Sequence, residues 1–256
     1  MTAFRGTEEL KSALEALPQV ISVRDISIED NFIRNLSIET GSAGRLTVCR
    51  LDVDDAAGLF EFYSEGLSEK PRRLFAPYPL FYTPPESVEE LSGRIADWKK
   101  EDDWTALNLI KEGRIIGFGL LKRFKTEKVT SSIVIRDEFL KRGLGYLLQN
   151  IIIGQARLMH LKRFHVKVVS DNLASMRLHE KCGFRQTRIL PSALYGEMFK
   201  YLRDKDEENG NKAVDRKLFE MVIELGSVAE SDKSPDIKGP AGKKISKVTK
   251  KNISRD

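Results

Sequence analysis

The chain reads as an α/β domain: a β-sheet with amphipathic helices packed on it. Three observations carry that expectation. Short β-branched segments recur between Arg45 and Leu202, segments of helical period alternate with them, and the longest of these helices opens on a glycine turn at Gly143. With 41% hydrophobic residues over 256 positions, there is enough apolar material for one sizeable core.

Taken in order, Glu8 to Leu17 predicts a short helix, because Leu10, Leu14 and Leu17 share a face. Gln19 to Ile28 alternates and predicts a strand, and Gly41-Ser42-Ala43-Gly44 reads as a turn. Residues 1–44 form an N-terminal extension on this reading, and the main domain spans 45–203. It begins with the alternating strand Arg45 to Leu51. Asp52 to Asp55 then supply capping residues for a helix that turns Ala56, Leu59, Phe60 and Tyr63 inward. Leu67 to Pro85 is a loop carrying Phe75, Tyr78, Phe81 and Tyr82, which either line a substrate pocket or pack the loop. Glu86 to Lys100 returns to helical spacing through Val88, Leu91, Ile95 and Trp98. A hairpin turns at Glu112-Gly113 between Thr105–Ile110 and Arg114–Phe124, and Val129 to Ile135 is a further strand. The helix from Gly143 carries Leu144, Leu147, Leu148, Ile151, Ile152 and Leu158 on one wide face, and Arg163 to Val169 is the strand after it.

Beyond Arg203 the composition turns polar. Residues 204–256 are read as an extension that the core does without, with one amphipathic helix over Val214 to Leu225 and then a disordered basic tail. From Lys238 onward the chain holds seven of its 43 basic residues and one of its 38 acidic ones, so the body is close to neutral. A nucleic-acid contact is therefore a matter for the tail alone, which otherwise is a solvated end. Cys49 and Cys182 form no CxxC pair or His/Cys ligand cluster, so the expectation is no metal and a reduced, cytoplasmic protein. The first residues lack the apolar core of a signal segment, and no apolar run approaches the roughly 20 residues of a membrane span.

The chemistry-bearing stretch is Lys141-Arg142-Gly143-Leu144-Gly145-Tyr146, after a strand and opening a helix. A helix start behind a glycine turn offers unpaired N–H groups and a positive dipole end to an anion. The third glycine of a dinucleotide-binding fingerprint is missing, and so is the Gly-Lys-Ser/Thr of a nucleoside triphosphate loop.

Together with Asn172-x-x-Ser175-x-x-Leu178-His179-Glu180-Lys181-Cys182-Gly183-Phe184, this stretch resembles the GNAT acetyltransferase superfamily over about Arg45 to Leu202. The resemblance implies a mixed, largely antiparallel, splayed sheet flanked by helices. It implies acetyl-CoA as acyl donor and direct transfer to a primary amine, on a small molecule or a protein. It further implies that Ile133 and Ile135 pair with the pantetheine arm, and that Lys141, Arg142, Gly143, Leu144, Gly145 and Tyr146 hold the pyrophosphate. Asn172 either caps its helix or bonds the cofactor's amide arm, with Ser175 one turn on. Two positions depart from the superfamily pattern. Leu140 stands where Gln or Arg is usual, and His179 stands where many members carry the tyrosine that protonates the leaving thiolate. His179 is the candidate general acid, or else a packing residue. The strand before the glycine loop carries no carboxylate, so Glu127 is the candidate base, with Asp171 and Glu197 behind it. The missing carboxylate and replaced tyrosine keep a second reading open: an acyl-CoA-binding or scaffold protein on a degenerate acetyltransferase fold.

Overall fold

The computed structural model describes residues 6–74, 85–191, 196–210 and 214–226. Within them lies one mixed sheet of nine strands, in the order β1-β2-β3-β4-β5-β6-β7-β9-β8. The strands are β1 (Val20–Glu29), β2 (Phe32–Thr40), β3 (Gly44–Arg50), β4 (Trp104–Lys111), β5 (Arg114–Lys122), β6 (Thr130–Ile135), β7 (Arg163–Val169), β8 (Arg185–Leu190) and β9 (Leu218–Glu224). Every pairing is antiparallel except that of β6 with β7.

Helices cover both faces. Helix α1 (Thr7–Glu15) buries Leu10 and Leu14 in the same cluster as Leu147, Leu148, Ile151 and Ile152 of α5 (Leu144–Leu158). On the other face α2 (Ala56–Ser64) and α4 (Val88–Lys100) bury Leu59, Phe62, Leu91 and Ile95 against Phe118 and Leu120 of β5. Strand β5 is buried along nearly its whole length for this reason: Phe118 and Leu120 face α2 and α4, while Gly119 meets Ile152 of α5. The Asp52 cap falls one turn earlier than expected, on the 3-10 turn Val53–Asp55 that leads into α2: the Asp52 carboxylate accepts from Val53 N–H, and Asp55 Oδ2 accepts from the N–H of Asp52, while α2 itself starts with no side-chain cap. Phe60 differs from its expected place, since it is only partly buried beside that cluster. The short helix α3 (Glu69–Leu74) forms inside the segment read as loop. The aromatic positions Phe75, Tyr78, Phe81 and Tyr82 lie outside the described residues, as does the basic tail.

The extension ahead of Gly44 holds two strands where the sequence suggested one. Asp30 and Asn31, both left-handed at φ 51° and 67°, turn β1 back into β2, the conformation a two-residue hairpin needs. The larger correction concerns Val214 to Leu225. It is not a helix: Leu218–Glu224 is a strand lying between β7 and β8 and pairing with both along its length. Leu218-Phe219-Glu220-Met221-Val222-Ile223 is a short run, apolar but for Glu220, that satisfies helical and strand periods equally, and the free edges of β7 and β8 decide between them. Helix α7 (Gly196–Glu208) likewise runs across the boundary placed at Arg203. Leu202 packs with Leu190, Met198 and Leu218, so the segment beyond Arg203 is part of the core.

Candidate active site

The site is built on the parallel pair. Strand β6 is laddered to β5 from Thr130 to Ile135, but to β7 at one position only, Thr130 with His165, beside the bond from His165 N–H to Val129 O. Beyond that point the two strands part. The β7 side of the backbone around Ile133 and Ile135 is left without a strand neighbour, directly below the start of α5. Ile135 itself is buried, and its Cγ1 lies 3.9 Å from where a Cβ on Gly145 would stand.

The chain enters α5 through two left-handed residues, Lys141 (φ 62°) and Gly143 (φ 78°), on either side of Arg142. The first helical bond runs from Leu147 N–H to Gly143 O, no side chain caps the helix, and its first turn holds no acidic residue. The N–H groups of Gly143 through Tyr146 are therefore the helix's unpaired donors, at the positive end of a 15-residue helix. Lys141, Arg142 and Gly143 are exposed, whereas Leu144 is core and contributes only its backbone. A Cβ added at Gly143 would meet open space, but one at Gly145 would stand 2.9 Å from Leu178 Cδ1. Gly145 is thus needed for the close approach of α5 to α6 (Leu173–Lys181), a packing reason separate from any ligand. Arg142 lies over the Phe139 ring and donates to Glu138 O, and Lys181 Nζ sits 4.2 Å above the Tyr146 ring.

Asn172 takes the capping reading: its Oδ1 accepts from Ser175 N–H at 3.1 Å. One turn on, His179 is 5% exposed, with Nδ1 2.7 Å from Ser175 O and its ring edge-on to Phe184. That bond places the proton on Nδ1. Burial pushes the imidazole pKa down to about 4, against a smaller opposing effect of the Ser175 carbonyl. The ring is neutral near pH 7, its one proton is the Nδ1–H given to Ser175 O, and the side chain packs α6 on Phe184. Glu127 is exposed, in the turn ahead of β6, outside the joined end of the two strands. Asp171 sits at the open end of β7 but is held by Arg216, whose Nε lies 2.5 Å from Oδ2, with Lys70 at 3.7 Å. The side chain of Glu197 lies outside the described residues.

Sequence reasoning missed the pair that fastens the end of β6 to α2. Arg136, directly after β6 and 3% exposed, forks onto both carboxylate oxygens of Glu61 on α2, 75 residues away. Asp137 N–H bonds Gly66 O, and Asp137 Oδ2 accepts from Ser68 N–H, tying the approach to the glycine loop to the corner after α2. No spacing rule signals such a pair; an arginine at a strand end is unremarkable until the fold places Glu61 beneath it. The two thiols are held in the protonated form. Burial raises Cys49 to about 11 and Cys182 to about 12, and both are unpaired. Among the described residues no group of three or more His, Cys, Asp or Glu gathers to hold a metal, and no helix is long and apolar enough to cross a membrane.

With this geometry in view, residues 45–185 match the family model of the acetyltransferase (GNAT) domain. The chain belongs to the GNAT family, and it is an acyltransferase that moves an acetyl group. Among solved structures it resembles a GNAT-family acetyltransferase from Streptococcus pneumoniae, at 21% identity over 71% of this chain and 99% of that one, with a TM-score of 0.51. It also resembles a point mutant of the spermidine N-acetyltransferase SpeG from Vibrio cholerae, at 17% identity over 72% and 96%, with a TM-score of 0.54. The GNAT domain of S. lividans PAT aligns at 18% identity over 71% and 91%, with a TM-score of 0.51. At these identities the likeness is one of fold. No curated protein matches the chain.

Proposed function

We propose that the protein transfers an acetyl group from acetyl-CoA directly to a primary amine, with no covalent enzyme intermediate. One observation carries the reading: the parted strands β6 and β7 open directly beneath an uncapped, acid-free helix start. A pantetheine arm is an extended chain with two amides. It fits as a partial strand against the backbone of Ile133 and Ile135, the edge that β7 leaves unladdered. The diphosphate then falls to the N–H groups of Gly143, Leu144, Gly145 and Tyr146, with Lys141 and Arg142 adding charge. Asn172 and Ser175, bonded to each other, hold the start of α6 at the cleft's other wall.

The protonated state of Cys49 and Cys182 argues against an acyl-cysteine step. In direct transfer a neutral amine attacks the thioester carbon, the tetrahedral adduct collapses with C–S cleavage, and the amine's surplus proton passes to water. A thiol of pKa about 8.5 departs as thiolate without a donor, so loss of the tyrosine at position 179 is compatible with turnover. Two free thiols fit a reducing compartment such as the cytoplasm.

The test is release of free thiol from acetyl-CoA across a panel of amines: spermidine, amino sugars, lysine peptides and peptides with free N-termini. Amine-dependent release is expected with at least one class. Thermal stabilisation by acetyl-CoA with no release for any amine would overturn catalysis in favour of the binding or scaffold reading.

A further inference from the structure

The turn between β2 and β3 lies just outside the matched family region, yet it touches the cofactor loop. Ser42 Oγ donates to the backbone oxygen of Arg142 at 2.8 Å, across 100 residues of sequence. The turn that carries Ser42 is itself fixed. Thr40, 2% exposed, donates from Oγ1 to Gly44 O and accepts from Ala43 N–H, and Gly41 N–H bonds Gln19 O on the far side of the hairpin. Further along α5, Gln155 grips the other end of the same hairpin, taking Ile33 N–H on Oε1 and giving Nε2–H to Asn31 O. The extension is thus fastened to the cofactor helix near its start and again three turns down.

We propose that Ser42 is a positioning residue for the diphosphate of acetyl-CoA, an inference that rests on the function proposed above. Peptide geometry gives the reason. The Arg142 carbonyl and the Gly143 N–H belong to one planar trans peptide unit, in which C=O and N–H point in opposite directions. Holding the oxygen towards Ser42 turns the Gly143 N–H away from the hairpin, as a donor beside those of the first helical turn. Lys141 and Gly143 are both left-handed, and glycine at 143 leaves that peptide plane free to rotate. A rotated plane would present the carbonyl, an acceptor, where the phosphate needs a donor. Ser42 removes that alternative without touching the ligand, by a hydrogen bond made on a rigid turn.

The experiment compares wild type with Ser42→Ala and Ser42→Thr. It measures the acetyl-CoA Kd by calorimetry, the melting temperature without ligand, and the Gly143 amide resonance in a nitrogen–proton correlation spectrum. Ser42→Ala is expected to raise Kd about fivefold, which corresponds to about 1 kcal/mol at 1.4 kcal/mol per tenfold. It should shift the Gly143 amide in the unliganded protein and leave the melting temperature where it was. Ser42→Thr, which keeps the hydroxyl, should restore both Kd and resonance. An unchanged Kd in folded Ser42→Ala would overturn the proposal, and so would a weakened Kd that threonine does not rescue or that comes with an equal loss of unliganded stability. If wild type itself fails to bind acetyl-CoA, the cofactor reading fails first and takes this inference with it.

Discussion

Acidification should destabilise this protein through His179, by an amount the structure allows one to work out. The folded-state pKa is depressed to about 4 from an ordinary value of 6.5. Below pH 6.5 the unfolded chain therefore takes up a proton that the folded one refuses. Stability from this group is present above about pH 6.5 and is lost as the pH falls towards 4. A depression of that size, at 1.36 kcal/mol per pKa unit, is worth about 3 kcal/mol between pH 7 and pH 4. The perturbation that isolates it is His179→Leu, which keeps an apolar body of similar volume. The Ser175 carbonyl is not orphaned by the change, because it still lies within α6 and takes the ordinary helical bond. Urea unfolding at pH 7 and pH 4, followed by the fluorescence of the tilted pair Trp98 and Trp104, gives the stability of each protein at each pH. Carboxylates titrate over the same range, but they do so in both proteins and cancel in the comparison. The loss on acidification should be about 3 kcal/mol smaller in His179→Leu than in wild type. Equal losses would refute the buried, neutral state of His179.

Three further outcomes follow from the packing. Arg136→Met should cost about 3 kcal/mol in urea unfolding, at the lower end for a broken buried ion pair, because Glu61 is partly exposed and keeps Arg114. Gly143→Val, whose Cβ meets open space but whose left-handed φ of 78° strains a β-branched residue, should leave a folded, less stable protein and abolish the rise in melting temperature that acetyl-CoA produces; an undiminished rise would sink the diphosphate assignment. Truncation after Arg203 should give insoluble or unfolded protein on expression, because it deletes β9 and leaves β7 and β8 without their shared partner; a soluble product with a native far-ultraviolet spectrum would refute the sheet order.

How legible these features were depends on whether the deciding information is local. Helix α5 could be read at once because its apolar face is wide, β4 and β5 because they flank the Glu112-Gly113 turn, and β6 because it is a β-branched run. Strand β2 was missed although the Asp30-Asn31 turn signals it, since its first two buried positions, Ile33 and Leu36, stand three apart and strict alternation begins only at Leu36. Strand β9 was misread because a six-residue, largely apolar run has no period of its own, and its state is set by neighbours 30 to 60 residues earlier. In the site, the loop and Asn172 were legible as motifs. The neutral state of His179 was not, because burial against Phe184 is a property of the assembled core. Nor were Arg136 with Glu61 or Ser42 with Arg142, contacts between residues far apart in sequence.

The single bridge between β6 and β7 bears on how the molecule moves. Hydrogen-bond ladders bind β1 through β6 into one cooperative block and β7, β9 and β8 into another, and scarcely any backbone bonds cross the line between them. What crosses is side-chain packing, chiefly beneath α5. Native-state hydrogen exchange should therefore resolve two groups of amides with separate opening free energies. The smaller block can loosen as a unit while the larger stays closed, with breathing concentrated along the line where the thioester would lie.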